Sequence, residues 1–191
     1  MTPAAASLPE TLAEAFDTLA RGVADRHHGF HCPALATIGR DGAPSIRSLV
    51  LRGVEPALRR LRLHSDRRAA KVAELAADPR AALLFHDAEA QLQLRLSGRA
   101  SLHADAALAD GAWAEIRAMS RRCYAIVPAP GTAIAVPPVA PLDSEAGRPH
   151  FCVVLFQIET LESLHLAAAG HRRARFAWDA TGQPSATWLV P

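Results

Sequence analysis

Two arginines, Arg47 and Arg52, bracket the apolar run Ser48-Leu49-Val50-Leu51 in "PSIRSLVLRGV". A guanidinium is planar, permanently charged and forked, so its chemistry is the grip of a carboxylate or phosphate. Side chains alternate along a strand, and positions five apart therefore face opposite ways. Arg47 travels with Leu49 and Leu51, whereas Arg52 travels with Ile46, Ser48 and Val50. One of the two must point into something closed. Either each cation snorkels from a strand end, or a ligand lies across the strand, met by backbone in the middle and by a cation at each end.

A second basic group follows in "SDRRAAKVAELAADP". Its spacing predicts a helix capped by Ser65 or Asp66, with Val72 and Leu75 inward and Asp78-Pro79 as the stop. Arg67 and Arg68 would then occupy the first turn, with Lys71 one turn on, although the positive end of a helix dipole favours acids there. A bound phosphate would compensate this placement, and a solvated basic face is the other reading. Further along, Leu92, Leu94 and Leu96 alternate with Gln91, Gln93 and Arg95, so one face is apolar and the other presents amides and a cation.

Other chemistries lack their signals. No G-x-G-x-x-G follows a strand, and neither a P-loop nor a G-x-S-x-G elbow is present. The cluster His27, His28, His31 and Cys32 matches no standard zinc spacing, so no metal is expected. The cations are not interleaved with aromatics, which argues against nucleic acid. Cys32, Cys123 and Cys152 are far apart and odd in number, as expected of reduced thiols.

The elements that must position these residues can be read in order. Ser7 and Glu10 form a capping box ahead of an apolar helical stripe that ends near 22–25, giving an N-terminal helix within residues 1–29. "PALATIG" and "PSIRSLVLRGV" flank Asp41-Gly42 as a hairpin, and "LRRLRLHS" sets Leu61 and Leu63 against Arg60, Arg62 and His64. Strands "RAALLFHD" and "AQLQLRLSGRASLH" come after the second helix. Residues 105–124 read as one helix that buries Leu108, Trp113, Ile116 and Met119. A proline-rich segment, 125–150, reads as a lid, a binding loop or disorder. Strands "HFCVVLFQIETLESLHL", "HRRARFAW" and "SATWLV" close the chain. This order predicts a mainly β protein with peripheral helices, a small antiparallel barrel with helices at its ends.

At 191 residues the chain fits a single domain spanning 1–191. Half of its residues are hydrophobic, yet no apolar run reaches the ~18 residues of a membrane helix, and no leader pattern opens the chain. A soluble, cytoplasmic protein is expected. The net charge of +2 permits an anionic ligand and is too small to argue for nucleic acid.

Taken together, "ALATIGRDGAPSIRSLVLRGV", "LRLHSDRRAAKVAELAADPRAALLF", "QLQLRLSGRA", "HRRARF" and "WLVP" resemble the pyridoxamine 5′-phosphate oxidase-like flavoproteins, the FMN-binding split β-barrel family. The family's R-x-V-L-L-K pattern falls on Arg47, Ser48, Leu49, Val50, Leu51 and Arg52, which the resemblance implies contact FMN, with Arg52 also near the substrate. Its aromatic-Thr pair falls on His64 and Ser65, its Arg-Lys pair on Ala70 and Lys71, and its flavin-contacting glutamine on Gln93. Arg67 or Arg68 would replace the arginine missing at position 70. Arg175 takes the flavin-side arginine of the tail, His171 or Arg173 the substrate-side places, and Ser120-Arg121 is a partial match to the family's substrate residues.

The resemblance implies a homodimer with flavin sites at the subunit interface, and hydride transfer from a small anionic substrate to FMN, which dioxygen then reoxidises. Arg47, Ser65 and Lys71 would hold the flavin phosphate and Gln93 the ring edge. Two functions follow from it. One is an oxidoreductase acting on pyridoxamine or pyridoxine phosphate or another small anion. The other is a flavin- or other cofactor-binding split barrel without vitamin B6 oxidase activity, serving as carrier, sensor or haem-utilisation protein.

Overall fold

Pro44–Glu55 is the segment that closes the fold. The computed structural model describes residues 7–105, 107–167 and 170–191, so positions 1–6 of the expected N-terminal helical region lie outside the described residues. Strand β1 (Ala34–Ile38) pairs with β2 (Pro44–Ser48) on one edge and β5 (Arg80–Asp87) on the other. From β5 the sheet continues through β6 (Leu92–His103), β7 (Phe151–Ala167), β4 (Arg60–Asp66) and β3 (Leu51–Glu55), all antiparallel. Because β3 follows β2 after two residues, the order β2-β1-β5-β6-β7-β4-β3 returns on itself as a barrel. Leu49 and Leu51 carry the pairing across this corner by donating their N–H groups to Pro33 and His31 carbonyls at 3.0 and 2.9 Å.

The barrel is split at β7. Its first half pairs with β4 and its second half with β8 (Gly170–Trp178), which in turn pairs with β9 (Pro184–Leu189). The bend in the adjoining strand is made by a bulge between Ser97 and Gly98. A Cβ at position 98 would collide with the Gln157 carbonyl, so this bulge requires glycine.

The alternation read from the sequence is the alternation observed. Leu35, Leu51, Leu61, Leu63, Leu94 and Leu96 fill the barrel, while Arg60, Arg62 and His64 of β4 point outward. Helix α1 (Leu8–Ala24) is capped by the Ser7–Glu10 box and packs Ala15, Phe16 and Leu19 on the core. The Asp41-Gly42 turn holds Gly42 at φ +81, a conformation glycine adopts without strain. The uninterrupted apolar start of β7, Phe151 to Phe156, has both faces buried, with the outer one under Trp113 and Ala112.

Two helices differ from expectation. Helix α2 runs over Ala70–Ala77 with Ala69 at its N-cap, and Ser65 and Asp66 finish β4 instead. Arg67 and Arg68 therefore lie in the turn before the helix, because the pairing of Asp66 with Phe151 prolongs the strand. The expected helix 105–124 is broken into α3 (Ala107–Glu115), α4 (Ala118–Arg121) and a 3-10 turn at Arg122–Ala125. Arg117, extended at ψ 139, interrupts it and leaves Met119 75% exposed instead of buried. The proline-rich segment is irregular up to a 3-10 turn at Glu145–His150, and Arg122 donates to the carbonyls of Ala140 and Pro141 at 2.8 and 2.6 Å.

Candidate active site

The residues singled out by type and spacing fall into three places. The first is the end of the barrel covered by α2. Arg47 shares a cross-strand row with the buried Leu35, Leu83 and Leu96, so its guanidinium is turned inward. There it donates to the hydroxyls of Thr37 and Ser45 and pairs with Glu74 of α2 at 2.8 Å. Thr37 also donates to Glu74 at 2.6 Å. Lys71, one turn before Glu74, is half-buried, and its Nζ meets the Ser65 hydroxyl at 3.4 Å. Among the described residues no carboxylate lies within ion-pair distance of it. Burial, and next the Arg47 charge, push its pKa down. Lys71 thus keeps a desolvated charge beside another cation, an arrangement that an anion relieves.

Arg67 and Arg68 do not join this group. Arg68 is held by both Asp66 oxygens and donates to the carbonyls of Tyr124 and Ile126, and Arg67 pairs with the exposed Asp105. Among the described residues both are engaged by partners outside the Arg47–Lys71 group. Their charges are taken up by contacts that the turn geometry brings within reach.

The second place is a cavity of about 670 Å³ outside β3 and β4, closed by the end of α1 and by α3 and α4. Arg52, His64, His31 and Arg117 line it. Arg62 pairs there with Glu115 at 3.0 Å, and among the described residues Arg52 and Arg117 have no carboxylate partner. His64 packs edge-on against Phe151, and both of its ring nitrogens are buried without a hydrogen-bond partner among the described residues. Burial, reinforced by the Arg52 and Arg62 charges, lowers its pKa to about 3, so the ring is neutral at physiological pH. His31 is fixed by Nδ1–H donating to the Gly22 carbonyl at 2.7 Å. The run Ser48–Leu51 joins the first two places: Leu49 and Leu51 face the core, Ser48 is exposed and Val50 half-buried.

The third place is the outer face of β6, β7 and β8. Register sets Gln93 beside Leu164 and Leu164 beside Arg173, and Arg95 beside Glu162 and Glu162 beside Arg175. Glu162 accepts from Arg173 at 2.7 Å and from Arg95 at 3.5 Å, and the Arg173 hydrogen bond holds its carboxyl below the usual range. Gln93 also borders a cleft of about 290 Å³ with Arg95, Ile46 and Leu84. His171 is exposed near the start of β8. Arg121 stands apart from all three: it donates to Glu145, lies over the Trp113 ring at 5.2 Å and donates to the Ala114 carbonyl at 3.0 Å.

A family model described as pyridoxamine 5′-phosphate oxidase matches residues 23–165, a span that includes all of the first two places. The chain belongs to the pyridoxamine 5′-phosphate oxidase family. Pyridoxine/pyridoxamine 5′-phosphate oxidase 2 of Arabidopsis thaliana is 30% identical over 166 residues, covering 81% of this chain and 82% of that protein. The pyridoxine/pyridoxamine 5′-phosphate oxidase of Anaeromyxobacter dehalogenans is 37% identical over 98 residues, a match that spans 51% of this chain and 48% of the relative. Among solved structures, a pyridoxamine 5′-phosphate oxidase-related, FMN-binding protein of Nostoc punctiforme superposes with TM-score 0.78, at 22% identity, over 97% of this chain and all of that one. PhzG of Burkholderia lata, in complex with tetrahydrophenazine-1-carboxylic acid, gives TM-score 0.74 at 21% identity over 98% and 95% of the two chains. At these identities the two structures establish the shared fold.

Within the pyridoxamine 5′-phosphate oxidase fold, this chain's residues fit FMN at two points: the uncompensated Lys71 charge suits a phosphate, and the unpartnered His64 nitrogens lie at a cavity wall. Sequence reasoning missed Thr37, Ser45 and Glu74 as partners of Arg47, and His31 and Arg117 as walls of the cavity. A signal existed for Glu74, three residues after Lys71 and so on the same helical face. None existed for Arg117, whose exposure to the cavity follows from the break in the expected helix.

Proposed function

We propose that this family member binds FMN and is an oxidoreductase that transfers a hydride from a small anionic substrate to the flavin. The observation that carries this reading is Lys71, a half-buried cation without a carboxylate partner among the described residues, next to Arg47 at the α2 end. When bound, the flavin supplies a two-electron acceptor that no protein side chain provides. The protein's part is position and charge. Lys71, Ser65 and the free donors of Arg47 hold the phosphate; Ser48 to Leu51 offer backbone; and Arg52, on the cavity side of the same strand, attracts the substrate's acid group.

The same reading makes the protein a homodimer. His64 is in register with Val153 and Gln93 with Leu164, so the two lie roughly 35 Å of strand apart along β7 at ~3.3 Å per residue. That span is longer than a mononucleotide, and the intervening strand faces opposite ways. Gln93 and Arg175 of one protomer would therefore complete the site whose phosphate end belongs to its partner. The outer face near Gln93 also carries Ile46 at 69% and Leu84 at 39% exposure, apolar area that an interface would cover.

A second reading, flavin binding without vitamin B6 oxidase activity, is favoured by Arg121. Its contacts with Glu145, Trp113 and the Ala114 carbonyl fasten α4 to neighbouring segments and turn it to a structural task. The absorption spectrum of the purified protein, with and without added FMN, tests the common part. A protein that stays colourless after FMN and gel filtration sinks both readings. With flavin bound, anaerobic pyridoxine 5′-phosphate bleaches it under the first reading, and persistent oxidised absorbance leaves the second.

A further inference from the structure

We propose that Glu74 is the resident counter-ion of Arg47, standing in for a ligand phosphate so that the α2 end of the barrel stays folded when no phosphate is bound. The inference rests on reading this end as a phosphate site. Glu74 is 8% exposed, and one oxygen, Oε2, accepts from both Thr37 Oγ1 at 2.6 Å and Arg47 Nη2 at 2.8 Å. Arg68 with Asp66 is as enclosed, at 20% and 9% exposure, but that guanidinium also donates to the Tyr124 and Ile126 carbonyls and, among the described residues, stands beside no second uncompensated cation. Three other pairs of the first half of the chain are of a different kind. Arg60 with Glu55, Arg67 with Asp105 and Arg80 with Asp78 each include a partner at least 45% exposed, where water compensates a lost charge.

Arg47 and Glu74 have no such recourse, since their side chains are 21% and 10% exposed. A desolvated guanidinium needs a fixed anion, and removing one member of such a pair leaves the other uncompensated. The local sum is two cations, Arg47 and Lys71, against one carboxylate. Glu74 neutralises Arg47 and leaves Lys71 as the net charge that attracts a phosphate. Two of the five guanidinium donors of Arg47 point elsewhere than Thr37, Ser45 and Glu74, so a phosphate can be met without displacing the carboxylate.

The stand-in role makes an opposite prediction from a purely structural or positioning role. Replacing the carboxylate by the amide in E74Q keeps its shape and its bond from Thr37 but leaves both cations unpaired. A bound phosphate then becomes their only counter-ion. The ligand-free variant melts lower than wild type, phosphate affinity rises roughly tenfold, and the ligand-induced rise in melting temperature exceeds that of wild type by mass action.

Wild-type and E74Q proteins are titrated separately with inorganic phosphate and with FMN at low salt, reading melting temperature and, for FMN, fluorescence quenching. Tighter binding of either ligand by E74Q supports the inference. Equal affinities, or weaker binding by E74Q, overturn it. If FMN binds neither protein while inorganic phosphate still binds the variant more tightly, the flavin reading fails and the inference stands. If FMN binds both proteins and neither it nor inorganic phosphate binds E74Q more tightly, the flavin reading stands and the inference fails. Should E74Q not fold, E74D withdraws the charge by one methylene and gives the same direction at smaller size, with unchanged or weaker phosphate binding counting against the proposal.

Discussion

The α2 end of the barrel and the cavity outside β3 and β4 both concentrate positive charge, and they hold it in opposite ways. At the α2 end, Arg47 is locked by two hydroxyls and a buried carboxylate, and Lys71 alone is left over. In the cavity, Arg52 and Arg117 line the wall without a carboxylate partner among the described residues, and Arg62 is paired with a glutamate that is 64% exposed. A locked charge recognises one group in one geometry, because its rotamer entropy is already lost before the ligand arrives. Loosely held arginines accept anionic groups in several positions. Under the proposed function, the first place would take a fixed cofactor phosphate and the second a substrate of less constrained shape.

The sharpest way to break this contrast is Arg47→Ala. It leaves Glu74 buried without its cation, and loss of one member of a buried pair costs about 3 kcal/mol or more. Chemical denaturation should show that loss, and a variant as stable as wild type would mean the α2 end is as loosely built as the cavity. Next in size is Lys71→Ala, which removes a charge-assisted contact of about 1.5–3 kcal/mol and so weakens FMN by roughly 10- to 100-fold. Arg52→Ala, on the cavity side, should leave FMN affinity within about threefold while reducing the response to an anionic substrate. Equal losses in the two variants, measured by flavin fluorescence titration, would erase the distinction.

A mixing experiment tests whether the outer face completes the α2 end of a partner. Lys71→Ala and Arg175→Ala proteins, each deficient alone, should regain about a quarter of wild-type flavin sites when co-refolded in equal amounts, since half of the dimers are then mixed and one of the two sites in a mixed dimer is intact. No recovery, in a mixture shown to contain mixed dimers, would place Arg175 outside the site.

The last effect, seen only on acidification, concerns His64. Its folded pKa of about 3 lies below the ordinary value near 6.5, so the unfolded chain binds a proton between these limits that the folded chain does not. Stability therefore falls as pH drops below about 6.5, with a slope of up to about 1.4 kcal/mol per pH unit. His64→Phe should flatten this slope between pH 4 and 6.5 in urea melts. An unaltered slope would mean that the imidazole is solvated as freely as the cavity arginines.

Much of the fold was legible because strands write their facing into alternate residues. Arg47 inward with Leu49 and Leu51, Arg52 outward with Ile46, and Gln93 on the polar face of β6 all follow from a period of two and hold in the barrel. The capping box of α1 and the Asp41-Gly42 turn are equally local, each decided within five residues. The first turn of α2 was misread because nothing in "SDRR" reveals that Asp66 has a strand partner at Phe151. The break in the 105–124 helix was hidden too, since its apolar spacing continues through Ile116 and Met119.

The sequence by itself determined which side chains face in and which face out, and placed cations at both ends of one strand. Its family motifs added the flavin reading. Only the tertiary structure decided which cations are already satisfied. Thr37 and Glu74 are 37 positions apart, and Arg68 meets the Ile126 carbonyl across 58. Facing is set by the backbone of a few neighbouring residues, whereas charge compensation and desolvation depend on which distant elements pack together. For that reason the sequence could offer Arg68 as a phosphate ligand beside Lys71, and of these two only Lys71 is without a carboxylate partner among the described residues of the folded chain.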